Sequence, residues 1–133
     1  MTGMDVLRRC SEYEKDMARL RLRIRCAKDA VTRLTRSTDT SGHGGGEDKM
    51  SAYVGRLDEL ERALIAREEQ YIRDVELAAR LVARIDPMQG QAIHLRMVCG
   101  LTIRQTAAEL RTSESSVRGL CRRGQEALER IKP

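Results

Sequence analysis

Apolar or small residues recur at alternating steps of three and four from Cys10 through Tyr13, Met17, Leu20, Ile24, Ala27, Val31 and Leu34. This spacing narrows the fold more than any other feature of the chain. A heptad seam marks an amphipathic helix whose stripe must be covered by another helix. Arg8, Arg9, Lys15, Arg19, Arg21, Arg23, Arg25 and Lys28 fall between the seam positions, where a helix presents them to water. A second seam runs through Tyr53, Leu57, Leu60, Leu64, Tyr71, Val75, Ala78, Val82 and Ile85, with Arg67 interrupting it. Neither helix can hide its stripe alone, so the simplest arrangement is an antiparallel helical hairpin spanning 1–85. The same stripes paired between two chains would give a homodimer.

Between the seams, residues 35–49 shift to Ser, Thr, Asp and Gly and lose all periodicity, which predicts a flexible Gly-rich connection. The string His43-Gly44-Gly45-Gly46 resembles an esterase oxyanion loop, but no G-x-S-x-G elbow or strand pattern accompanies it. No Gly-Lys-Ser/Thr follows either, so the stretch is not a phosphate-binding loop. Asp86-Pro87 then marks a break, because proline restricts the residue before it and cannot donate a helical hydrogen bond. A separate unit over 86–133 is expected there.

Composition agrees with an all-α chain. Phe and Trp are absent and aromatics make up 2% of residues, so any core is built from Leu, Ile, Val, Met and Ala. Charge is uneven: residues 1–34 carry nine Lys/Arg against five Asp/Glu, 47–85 seven against nine, and 86–133 eight against five. The basic ends admit nucleic acid, an acidic protein or anionic lipid as partner. A helix with a regular seam is poorly suited to lying on a membrane, and no apolar run approaches the ~18 residues of a span. Cys10, Cys26, Cys99 and Cys121 form no C-x-x-C pair, and His43 and His94 stand at no metal-ligand spacing from them. Reduced thiols, no metal, no cofactor and no catalysis are expected, in the cytoplasm of a bacterial host cell.

The C-terminal segment carries the sharpest pattern. Ile93, Leu95, Met97 and Val98 populate a short helix that stops at Gly100, a residue suited to the left-handed helix end. Thr102 and Gln105 form a T-x-x-Q capping box ahead of a second helix with Ile103, Ala107 and Leu110 inward. Arg111-Thr112 is a turn, Ser113 an N-cap, and a third helix runs through Val117, Leu120, Ala127, Leu128 and Ile131. This is helix-turn-helix spacing, with a small Ala allowing close crossing. The outward positions of the third helix are Ser115, Ser116, Arg118, Gly119, Arg122 and Arg123; Arg104 and Ser113 complete the candidate DNA-binding set. Short hydroxyls near a helix start approach base edges or phosphates, and Arg118 is placed for a bidentate contact to guanine. Arg122 and Arg123, further along, suit phosphates. Gly119 and Gly124 each weaken an isolated helix by up to ~1 kcal/mol relative to Ala.

The segment from Asp86 through Leu101-Thr-Ile-Arg-Gln-Thr-Ala-Ala-Glu-Leu110 to Val117 and Ala127-Leu128 resembles region 4 of bacterial sigma factors. The whole chain is similar to small phage and prophage proteins that join two long helices to such a unit, of the kind of the ArpU-type activators of late phage genes. It departs from their pattern at Met97, Thr102, Cys121, Gly124 and Gln125. The resemblance implies binding to double-stranded DNA and transcriptional control; in this reading the hairpin either forms a homodimer or contacts RNA polymerase. Two alternatives share the architecture: a DNA-packaging protein of small-terminase type, and a polymerase-binding protein that does not bind DNA.

Overall fold

A computed structural model describes the backbone of residues 1–41 and 45–133 and the side chains of residues 1–36 and 49–133. Among these residues every regular element is helical: α1 (Gly3–Ser41), α2 (Gly45–Val82), α3 (Pro87–Ile93), α4 (Ile103–Leu110) and α5 (Glu114–Glu129), with a π-helical turn at His94–Val98. Both seams are withdrawn from water. Cys10, Met17, Ile24, Ala27 and Ala78 are buried, and the remaining seam positions are half-buried except Tyr53, which is exposed.

The connection is narrower than the composition of 35–49 suggests. Helix continues to Ser41 and resumes at Gly45, and residues 42–44, including His43 and Gly44, lie outside the described residues. Just upstream, threonine hydroxyls bond back to helix carbonyls. Thr32 Oγ1 donates to the Lys28 carbonyl at 3.0 Å and Thr35 Oγ1 to the Val31 carbonyl at 2.9 Å.

The chain forms two compact units, and neither follows the boundary expected at 85/86. One comprises Met1–Tyr13 with Gln70–Pro133, the other Glu14–Glu69. In the first, Met4, Val6, Leu7 and Cys10 of α1 share a core with Ala78 and Leu81 of α2, Ile93 of α3 and Leu128 of α5. Gly3 N–H donates to the Ile131 carbonyl at 2.6 Å, and the Arg8 guanidinium meets Glu129 at 2.6 Å. Three short helices cannot enclose a core of their own, so the ends of the long helices complete it. Asp86-Pro87 is a corner inside this unit. Later residues of α1 meet earlier residues of α2 here, so the two run antiparallel: Arg9 pairs with Asp74 at 2.7 Å, and Tyr13 stacks on Tyr71 with centroids 3.7 Å apart.

In the second unit Met17, Ile24 and Ala27 are buried, and Arg67, the polar interruption of the second seam, bonds Asp16 at 3.2 Å. Among the described residues no helix is long and apolar enough to cross a membrane.

Candidate nucleic-acid interface

The first unit orders its short helices by caps that the sequence encodes residue by residue. Asp86 Oδ1 accepts from the backbone N–H groups of Met88 at 3.1 Å and Gln89 at 3.4 Å, and Pro87 fills the first helical position where no donor is needed. Gly90 lets α3 cross the end of α2 closely, because a Cβ there would stand 2.7 Å from the Val82 carbonyl oxygen. The π-helical turn closes with Cys99 N–H donating to the His94 carbonyl at 3.1 Å and Leu101 N–H to the Leu95 carbonyl at 3.0 Å. Gly100, at φ +72°, supplies the left-handed exit. Arg96 Nη1 then donates to the Leu101 carbonyl at 2.6 Å, fixing this side chain across the turn.

The T-x-x-Q box forms as expected: Thr102 Oγ1 accepts from Gln105 N–H at 3.1 Å and Gln105 Oε1 from Thr102 N–H at 2.9 Å. Thr106 and Ala107 are buried, and Thr106 Oγ1 is satisfied by the Thr102 carbonyl at 2.8 Å. The helix stops because Arg111 turns left-handed, at φ 54°, with Thr112 N–H donating to the Ala107 carbonyl at 3.0 Å. Ser113 caps α5, its Oγ accepting from Ser116 N–H at 3.1 Å and donating to Ser116 Oγ at 2.9 Å. Val117, Gly124 and Leu128 are the buried face of α5. Gly124 is there for packing: a Cβ would collide with the Ile93 side chain, which is itself 1% exposed. The weakening expected of that glycine is therefore the condition for α3 and α5 to touch.

The candidate residues fall on one helix pair. Ser115, Ser116, Arg118, Arg122 and Arg123 are exposed along α5, Gly119 is half-buried among them, Arg104 is exposed on α4, and Ser113 is exposed with its hydroxyl committed to the cap. Arg118 lies 3.7 Å from Glu114, and its side chain retains 62% exposure. The Gly119 Cα faces the Arg123 guanidinium, whose Nη1 would lie 3.5 Å from an added Cβ. No protein-family model, curated protein or solved structure matches the chain. Its chemistry is therefore read from these side chains alone.

Reading along the chain missed Arg96. It lines, with Met97, Ile103, Arg118, Cys121 and Arg122, a cavity of about 220 Å³ beside α5. Its position in a wide π turn, which departs from the regular 3.6 period, gave no periodic signal. Half burial pushes the Cys121 thiol up, against a smaller opposite pull from Arg96. A second cavity, of about 520 Å³, is lined by Val82, Ile85, Pro87, His94, Leu95 and Leu110 among others. Among the described residues the buried His94 Nδ1 has no hydrogen-bond partner.

Proposed function

We propose that this protein is a DNA-binding transcriptional regulator, phage-encoded and working in the cytoplasm of a bacterial host cell. In this reading a helical hairpin carries a helix-turn-helix of sigma region 4 type. The observation that carries it is the α4–turn–α5 pair: two capped helices joined at Arg111–Ser113, with Arg118, Arg122 and Arg123 exposed on the second. α5 enters the major groove, Ser115, Ser116 and Arg118 approach base edges, and Arg122, Arg123 and Arg104 meet phosphates. Selection of bound fragments from random duplex DNA, followed by gel shifts, tests it. Arg118→Ala is expected to lower selective binding by about 1–3 kcal/mol, and Arg123→Ala to weaken all duplexes alike. Wild-type protein that retards no duplex at low salt ends the proposal.

A role for the long helices in protein contact is favoured by Leu22, Val54 and Ile65, which are 55%, 49% and 56% exposed in the Glu14–Glu69 unit. The partner in this reading is a second copy of the chain or RNA polymerase. Light scattering separates a homodimer from the higher-order ring of a packaging protein, and co-purification of polymerase without DNA binding would favour a pure interaction protein.

A further inference from the structure

We propose that Arg96 and Arg122 together seat one backbone phosphate of duplex DNA over the cavity beside Cys121, which adds Arg96 to the interface. The inference rests on α5 facing DNA, and it names a contact that no residue pattern along the chain points to. The cavity's volume, about 220 Å³, is that of roughly seven waters at about 30 Å³ each, room for a phosphate group with part of its hydration. No acidic residue lines it, while three arginines do.

The three guanidiniums differ in what they are free to do. Arg118 lies 3.7 Å from Glu114 and, in the proposed function, reaches toward a base edge, so the phosphate falls to the other two. Arg122 is exposed and makes no ion pair among the described residues. Arg96 spends one N–H on the Leu101 carbonyl at 2.6 Å. A guanidinium carries five donors in a rigid fork, so that bond orients the group and leaves others for an oxyanion. Cys121 and Gln125 are the remaining polar groups at the cavity; the Gln125 amide is uncharged and burial pushes the Cys121 thiol up, further from ionising, so neither sets a negative charge against an anion there. A role for Arg96 in closing the π turn alone would need neither the second arginine nor the concavity.

The experiment uses the full chain and a random-sequence duplex, since phosphate contacts do not depend on sequence. Alkylation of each cysteine by N-ethylmaleimide is followed by mass spectrometry, with exposed Cys26 as the internal reference. Duplex is expected to slow Cys121 several-fold relative to Cys26, and added salt to relieve the protection. In parallel, binding is measured between about 50 and 200 mM salt, where removing one phosphate contact lowers the slope of log K against log salt by about 1. Arg96→Gln and Arg122→Gln are each expected to show that loss, and Arg62→Gln, paired with Asp58 on α2, is expected to show none. Should Arg96→Gln disturb the turn, the wild-type alkylation still decides, because Arg122 is expected to meet a phosphate with or without the seat. Duplex binding with Cys121 unprotected and slopes unchanged overturns the seat while leaving DNA binding intact. Absence of duplex binding overturns both. Inorganic phosphate that protects Cys121 as fully as duplex does, with slopes unchanged, assigns the site to a free anion instead.

Discussion

Two glycines on α5 oppose each other in what a methyl group would do. At Gly124 an added Cβ would run into buried Ile93, and the added strain, about 1–3 kcal/mol, outweighs the ~1 kcal/mol of helix propensity that Ala brings. Gly124→Ala is therefore expected to lower the urea midpoint. Gly119 faces only the flexible end of Arg123, so Gly119→Ala is expected to raise stability by about 0.5–1 kcal/mol in the same assay. Equal effects at the two positions would mean that α3 and α5 do not pack as described. Sequence distinguished neither glycine from the other, because the partner of Gly124 lies on a different helix. Asp74 is a similar case: it is 1% exposed, bonded to Arg9 at 2.7 Å and Gln70 at 2.9 Å. Nothing along the chain separates it from the solvated acids around it. Truncation removes both hydrogen bonds to this buried carboxylate while Arg9, 39% exposed, keeps access to water, and Asp74→Ala is expected to cost about 1–3 kcal/mol in chemical denaturation.

At the scale of elements, helix ends were legible because caps are local chemistry. Thr102, Gln105 and Ser113 are sequence signals that formed as read, and Ser113→Ala is expected to cost about 1 kcal/mol, checked by thermal melting. The turn at Arg111-Thr112 was legible too, but not its left-handed backbone at Arg111, a conformation that favours glycine. Arg111→Gly is expected to raise the melting temperature by relieving strain of roughly 1 kcal/mol. The start of α1 has a box of its own: Thr2 N–H donates to Asp5 Oδ2 at 2.8 Å and Asp5 N–H to Thr2 Oγ1 at 3.4 Å. That backbone donor holds the Asp5 carboxyl below its ordinary value of 3.8. A depressed folded-state value means a contribution fully present above pH 3.8 and lost as pH falls through the lower value. Melting temperature measured down through that window is expected to fall less steeply in Asp5→Asn than in the wild type.

For the molecule as a whole, the units assign the N-terminal turns of α1 to the same core as α3 and α5. A fragment of 86–133 lacks Met4, Val6, Leu7, Ala78 and Leu81. Burial of each of the four larger side chains is worth about 1.5–3 kcal/mol, so their joint absence is of the same size as the whole stability of a small domain, about 5–15 kcal/mol. That fragment is expected to give a non-cooperative melt by circular dichroism. A chain with a short loop joining Tyr13 to Gln70 in place of Glu14–Glu69 is expected to melt cooperatively. Cooperative folding of 86–133 by itself would restore the boundary suggested by Asp86-Pro87. The sequence alone determined the helical class, both seams and the caps, because periodicity and capping depend on neighbours within one or two turns. Only tertiary structure decided that α1 begins inside the C-terminal core, that Gly124 is a contact and that Arg96 stands beside Arg122. Each of these depends on residues distant along the chain that meet once the short helices, too small to cover themselves, are completed by the long ones.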